Sequence, residues 1–517
     1  GLPLRQGGAD LFALPQRAPA VPLQSVALTI DSSAGVTVPA IYHIDLAAAG
    51  ATGTPMRALI GQLDKETGLA MAASFVGNVL GDTQPTDYSL TYDDATGVAH
   101  LTATGIMTTP WKRKNEEYQL VPPGQPIAQI DFTADRARSA WQDIPLRLNG
   151  PSYQRLDLTV KLPAGGAFST EGAGALSDTI AGVEVRSQSR LADRSFTMRQ
   201  DVLSAGGELP VAGQADAKRR DAMLERQLPI LRAPADVRPM WDYAGKDRRL
   251  LAPLEDSYAK LIAQAPADEL GDAYTNRAVF RVGIADFAGA RTDFDKAIEL
   301  TASSALYYQR AGVRWELGDL EGALADMRAG EAIDSKGASY ETQIQLLGLL
   351  GRPAEGLALA SDFARIAETA SEARRLEATA KMWANERDEA LTMLDDEAAK
   401  RPGDGELLNQ RCWQAGIWNL ATEDTLDSCT QAVQKSDWSA PALDSRAMVY
   451  YRLGRLDEAL ADYEAVVRGS PGLAESRYMR GIVRLKRGDR GGAEDVAIAL
   501  RIKPSLKSLY SAYGIAP

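Results

Sequence analysis

The sequence predicts a multidomain α+β chain. Residues 1–235 form a β-sandwich-like domain with a packed helix, and an all-α solenoid of repeated helix pairs follows. Two observations predict this. The first half runs in short stretches that alternate apolar and polar, the period of a half-buried strand. The second half carries Ala290, Ala323, Gly356, Ala390, Thr425, Ala459 and Ala493 at separations of 33, 33, 34, 35, 34 and 34 residues. A chain of 517 residues with 45% apolar and 24% charged side chains is also long enough for several domains, each with its own core.

Strands come first. Leu156, Leu158, Val160 and Leu162 share one face of a strand that Pro163, Gly165 and Gly166 end. Val183–Ser189 and Ser195–Gln200 flank Leu191–Arg194 at hairpin spacing. Ser89–Asp93 and Val98–Thr104 flank a turn in which Gly97 can take positive φ. Earlier strands are expected at Ser25–Ile30 and Val38–Leu46.

One helix interrupts them. Thr54 is placed to cap it and Pro55 to begin it, with Met56, Leu59, Ile60 and Leu63 at helical spacing. Gly61, Gly68 and Gly77 weaken it. A second helix over Ala215–Gln227 leads out of the domain toward Pro229 and Pro234.

Residues 236–269 read as a linker, in which Leu254–Ala265 resembles the second helix of a degenerate repeat unit. Over 270–507 each small residue follows a turn, as at Gly318-Asp319, Gly351-Arg352, Gly454-Arg455 and Gly488-Asp489. Pro402, Pro471 and Pro504 come about twelve residues after it, the last one residue early. This pattern, clearest at Leu443, Ala447, Tyr450, Gly454, Ala459, Tyr463 and Pro471, resembles the tetratricopeptide repeat, in seven units. Each unit is then two antiparallel helices whose small residues let the backbones approach, and units stack because one alone cannot bury its apolar face. Residues 508–517, with Leu509, Tyr510 and Tyr513, read as a terminal capping helix.

Composition excludes several functions. A net charge of −12 and the lack of a basic tract argue against nucleic acid. No apolar run reaches the ~18 residues of a transmembrane segment. Two His and two Cys leave little room for a metal site or a histidine-dependent mechanism, and no cofactor is expected. His43 and His100 fall in predicted strands with no zinc spacing. Glu171–Ser177 looks like a phosphate loop but lacks its final Gly and following helix. Ser257-Tyr258-Ala259-Lys260 imitates a Ser-x-x-Lys catalytic pair without companion motifs. Asp457, Glu458 and Asp462 read as a solvated helix face.

Cys412 and Cys429 fall at positions 7 and 24 of one repeat, level across its two helices, so the geometry suits a disulfide. The alternative is a pair of reduced, buried thiols.

The first helices of stacked repeats line a concave surface. Counting within each unit places Tyr308, Trp315, Arg375, Trp383, Gln414, Trp418, Met448, Tyr451, Arg452, Tyr478 and Lys486 there. Aromatic side chains mixed with Arg and Lys suit a protein or peptide partner. The competing reading packs the indoles inside the stack.

Residues 1–235 are similar to the β domain that follows the catalytic core in bacterial transglutaminase-like proteins. The matching residues are Leu2-Pro3-Leu4-Arg5, Gly8-Ala9-Asp10-Leu11, Arg138, Trp141, Ile144-Pro145-Leu146, Leu162-Pro163-Ala164-Gly165 and Glu208-Leu209-Pro210. The resemblance implies a catalytic core upstream of Gly1, which would supply the Cys, His and Asp of a thiol mechanism and serve as one partner. No residue here matches that triad, so the chain itself is expected to be non-catalytic. Gly1 then reads as a processing site or the edge of a fragment. The functional expectation is a protein–protein interaction scaffold of the bacterial periplasm or cell envelope. Its rival is the accessory half of a thiol enzyme.

Overall fold

The computed structural model describes residues 17–114, 116–123, 130–132, 143–244, 247–334 and 339–517. These divide into two compact units, one reaching Met240 and including Asp247–Pro266, the other holding a short stretch from Trp241 and Ala267–Pro517.

The first unit is built on one eight-stranded sheet. Its strands in chain order are β1 (Gln24–Asp31), β2 (Ala40–Ala49), β3 (Thr83–Asp93), β4 (Val98–Met107), β5 (Ser152–Lys161), β6 (Ala175–Ile180), β7 (Val183–Ala192) and β8 (Ser195–Ser204). They lie in the order β6-β7-β8-β5-β1-β2-β4-β3, and β1 and β5 pair in parallel while all other neighbours are antiparallel. The register sets Leu28 beside Ile44 and Leu158, so alternate residues form one apolar face. All the predicted strands are present. The β7–β8 hairpin turns through Asp193 and Arg194, both at positive φ, as a two-residue turn requires. Gly97 turns β3 into β4 at φ 71°. His43 and His100 sit in β2 and β4, facing Thr104 and Asp45 at 3.0 Å. Gly172 bridges a short strand to β6, so the phosphate-loop look-alike is a link between strands.

The helical part of this unit differs from expectation. Two helices replace the single one: α1 (Gly50–Arg57) and α2 (Lys65–Leu80). Thr54 does not cap; its hydroxyl bonds back to Gly50 O at 2.8 Å, and Pro55 lies inside α1. Asp64 caps α2 by accepting from Thr67 N. Ala72 and Val76 of α2 cover the sheet, whereas Leu59 and Ile60 are exposed. Gly68 admits the Tyr88 ring where a Cβ would collide with it. A third helix, α3 (Val211–Gln227), clusters through Ala217 and Leu224 with Val183, Val185 and Val202.

The fourth, α4 (Ala252–Gln264), is corrected from a repeat helix to a helix lying against β3 and β4, with Leu254 and Tyr258 buried. Ser257 on it donates to its own turn, at Pro253 O.

The second unit is a solenoid of seven helix pairs among the described residues. The pairs are α5 (Leu270–Gly283) with α6 (Phe287–Leu300), α7 (Ser304–Glu316) with α8 (Leu320–Ile333), and α9 (Tyr340–Leu349) with α10 (Pro353–Phe363). Next come α11 (Ala370–Trp383) with α12 (Arg387–Lys400), and α13 (Gly405–Ile417) with α14 (Glu423–Lys435). The last are α15 (Ala440–Arg452) with α16 (Leu456–Gly469), and α17 (Ala474–Lys486) with α18 (Gly492–Ile502). A short α19 (Leu506–Ala512) follows.

Each pair turns through one left-handed residue. Gly318, Gly351, Gly454 and Gly488 take that conformation, and Ala285, Asn385 and Asn419 adopt it where glycine is missing. The small residues Ala290, Ala323, Ala390 and Ala459 are fully buried at the crossings. The last unit departs by one residue. Ala493 is exposed, and Gly492 makes the close approach to Gly481 instead.

Asp462 is corrected from a solvated residue to a buried one. Arg446 on the first helix of its pair grips it with two bonds of 2.7 and 2.8 Å. The same pairing recurs sixteen residues apart as Arg277–Asp293 and Arg310–Asp326, with both aspartates buried. Asp457 and Glu458 are exposed. Among the described residues no helix is long and apolar enough to cross a membrane.

Candidate functional site

The first helices of the pairs, α7 to α17 by odd numbers, carry the residues that the repeat spacing assigned to the groove. The structure brings most of them together, but around an occupant. The chain leaves α18 at Lys503 and runs through α19 to Ile515 along these helices. Leu506, Leu509, Tyr510, Tyr513 and Ile515 are buried in one cluster with Trp418, Met448, Tyr451 and Tyr478. The expectation of a terminal cap is corrected accordingly: contacts reach back to α7, because Glu316 accepts bonds from the Ser505 N–H and hydroxyl, each at 2.9 Å.

Aromatic contacts hold the segment. The Tyr513 ring lies 5.6 Å from Trp383 and 5.1 Å from Trp418, which are themselves 5.0 Å apart and edge-on. Tyr510 stacks on Tyr478 at 4.9 Å. Offset and edge-on arrangements of this kind match the ring quadrupoles. Arg452 donates to Gly416 O at 2.9 Å and Ile417 O at 2.8 Å, carbonyls in the last turn of α13, and to Tyr513 O at 2.8 Å. Burial pushes this guanidinium below its ordinary value. The Trp418 indole N–H and the hydroxyls of Tyr463 and Tyr510 are buried without a hydrogen-bond partner among the described residues.

Two carboxyls, half-buried Glu316 and buried Asp444, face the same surface, and the sequence reading passed over them. Partial burial raises Glu316 above the usual carboxylate range. Asp444, which accepts a bond from the Ser476 hydroxyl, is pushed up to about 7, chiefly by burial. Helical spacing alone does not distinguish Asp444 from a solvated carboxylate, because its partner Ser476 lies on another repeat.

The remaining candidates divide. Gln414 is buried and donates to Thr379 Oγ1 at 3.2 Å, tying α13 to α11. Met448 fills the space left by Gly416. Tyr308 packs on Gly330 of α8, with its hydroxyl donating to Asp334 O at 3.3 Å, so it braces its own repeat. Trp315 is half-buried against the core. Lys486 is exposed, its ammonium 4.6 Å above the Tyr451 ring. The expectation that Trp418, Gln414, Met448, Tyr451 and Tyr478 stand open to a partner is therefore corrected: all five are buried.

Arg375 differs. It pairs with Glu406 at 3.0 Å and lines an open cleft of about 810 Å³. Tyr340, Phe363, Ile366, Arg401 and Gln410 line the same cleft, formed by α9, α11 and α13 with the end of α10. The Tyr340 and Phe363 rings lie 4.7 Å apart, and Ile366 is 60% exposed.

Cys412 on α13 and Cys429 on α14 are joined as a disulfide, with Cα atoms 5.2 Å apart and both side chains fully buried. No group of three or more potential metal-ligating side chains occurs among the described residues. Of the residues that resemble the transglutaminase-associated domain, Leu2–Arg5, Gly8–Leu11, Arg138 and Trp141 lie outside the described residues. Leu146 opens a short strand paired with Gly207–Leu209, and Leu162–Gly165 follow β5.

The tetratricopeptide-repeat family model matches residues 440–471, the α15–α16 pair. No curated protein matches the chain in sequence. Among solved structures, yeast Tom70 shares 14% identity over 59% of this chain and 60% of its own, with a TM-score of 0.36. The chain thus spans less than two thirds of that protein. A tetratricopeptide repeat protein from Parabacteroides merdae is 16% identical over 47% of this chain and 99% of its own, at a TM-score of 0.31. YrrB, described as a repeat protein with an unusual peptide-binding site, is 20% identical over 43% of this chain and 98% of its own, at 0.23.

Proposed function

We propose that this chain is a non-catalytic protein–protein interaction scaffold of the bacterial periplasm or cell envelope, with the repeat solenoid as its recognition part. The observation that carries the reading is the open cleft of about 810 Å³ at Arg375, where charged, amide and aromatic side chains converge on rigid helices. Exposed Ile366 and the Tyr340–Phe363 pair offer apolar contact, and Arg375 and Arg401 offer charge. That mixture suits an extended segment of a protein partner more than a small apolar ligand. The disulfide supports export, because such bonds persist in oxidising compartments and are rare in reducing ones.

The test is selection of displayed peptides on the full chain, followed by binding to an Arg375→Glu variant. Selected peptides that lose at least about tenfold in affinity at an unchanged melting temperature support the reading. Failure to select any peptide, or binding indifferent to charge reversal at Arg375 and Arg401, rejects it.

A further inference from the structure

The C-terminal segment has the features of a bound peptide. Its start is held by a side chain 189 residues distant, since Glu316 accepts from both the N–H and the hydroxyl of Ser505. Its end is held by Arg452, which donates to the Tyr513 carbonyl. Between these clamps two aromatic side chains, three residues apart on a single short helix turn, enter aromatic sites on different repeats. Tyr510 stacks on Tyr478 of α17, and Tyr513 sits against Trp383 of α11 and Trp418 at the end of α13. A helix serving only to cap a solenoid would need to cover the last pair alone. This one instead follows the concave face, where repeat proteins present their recognition residues.

The fit is also incomplete. Trp418 Nε1 and the Tyr463 and Tyr510 hydroxyls are buried without partners among the described residues while the segment is seated. Each unpaired group subtracts from the hold of the segment. A competitor that offers hydrogen-bond acceptors at these points, and keeps the aromatic anchors, gains by the difference. The segment lies beyond α18, outside all seven helix pairs, so its release unfolds no helix pair.

We infer that residues 505–515 are a ligand held in cis, and that the same surface takes a partner's short helix bearing two aromatic side chains three residues apart once that segment is displaced. The inference rests on the scaffold reading and adds the chemistry and the gating of a second recognition surface beside the Arg375 cleft. Partner affinity is then set against the cis segment, so the apparent constant is weakened by the fraction of grooves that are closed.

The experiment uses a labelled synthetic peptide of residues 503–517, the full chain, and a chain ending at Ile502. The peptide should bind the shortened chain and bind the full chain at least about tenfold more weakly. Replacing both tyrosines in the peptide (Tyr510→Ala with Tyr513→Ala) should cost at least about tenfold. Equal binding to both chains, or no binding to a shortened chain that keeps its helical circular dichroism, overturns the proposal.

Should the shortened chain fail to fold, hydrogen exchange on the full chain decides. Amides of 506–515 exchanging at least about tenfold faster than those of α15 support a displaceable segment. Exchange only at the rate of global unfolding shows a permanent core element and overturns it. A full-length dimer that truncation abolishes assigns the groove to the tail of a second copy, and likewise overturns the proposal. Peptides selected through the Arg375 cleft are unaffected by these results, so failure here is distinguishable from failure of the scaffold reading.

Discussion

Glu316 and Ser505 are 189 residues apart in sequence, yet the carboxylate of the first accepts two hydrogen bonds of 2.9 Å from the second. The contact ties the second helix pair to the chain beyond the seventh. Bonds to a charged group contribute about 1.5–3 kcal/mol. Glu316→Ala should therefore raise the open population of the segment roughly 10- to 100-fold. Native-state trypsin cleavage after Lys507, monitored by mass, should accelerate by that factor. An unchanged cleavage rate would show that the aromatic contacts alone hold the segment.

The disulfide joins Cys412 and Cys429, which are 17 positions apart in sequence. Replacing both by serine should cost about 3 kcal/mol, by freeing the unfolded chain and placing hydroxyls in an apolar site. Denaturant unfolding with and without reductant measures this. Unreduced native protein should take up no alkylating agent.

Trp418 is 6% exposed and packs edge-on to both Trp383 and Tyr513. Its truncation to Ala should lower stability by about 3–5 kcal/mol, as for other buried aromatic side chains. Loss of binding at an unchanged melting temperature would instead return it to the surface role expected from repeat position.

Arg446 and Asp462 are both buried and doubly bonded. Asp462→Leu alone leaves a buried guanidinium uncompensated and should cost about 3–5 kcal/mol. Adding Arg446→Met should recover most of that loss, because the pair's attraction largely repays its own desolvation. Equal stability of the single and double variants would place the cost in packing rather than charge.

Asp444 contributes a pH dependence of its own. Its folded value of about 7 lies above the ordinary 3.8, so between these values the native state binds a proton that the unfolded state lacks. Stability should fall as pH rises from about 4 to about 7 and level off above, by an amount on the order of a few kcal/mol. Asp444→Asn keeps an acceptor for the Ser476 hydroxyl and should flatten this slope. Melting temperatures of both proteins across that range provide the check.

The helix pairs were legible because their causes are local and periodic. Small residues recur at each crossing, and a left-handed turn residue precedes them. Even the early Pro504 signalled the one-residue shortening that moves the close approach from Ala493 to Gly492. The Arg–Asp pairs were equally present, as a sixteen-residue spacing at 277/293, 310/326 and 446/462. They were misjudged at Asp462 because an exposed and a buried helical aspartate look alike without their partner. The strands and hairpins were legible from alternation and turn chemistry. The split between α1 and α2 was only partly so, since the capping by Asp64 competes with an equally plausible signal at Thr54.

The sequence by itself determined the two architectures, the repeat period, and the level placement of Cys412 and Cys429, because strand alternation, helix crossing and hairpin register depend on neighbours within about one repeat. It also assigned a set of side chains to the concave face by repeat position. Only the tertiary structure decided what those side chains touch. Tyr510 and Tyr513 carry no mark in the sequence that sends them to Tyr478, Trp383 and Trp418 rather than to the end of the last pair. That choice depends on the superhelical curvature summed over five repeats, which brings Glu316 within bonding distance of Ser505. Small rotations at each helix crossing add up to it, and no local run of residues encodes the sum.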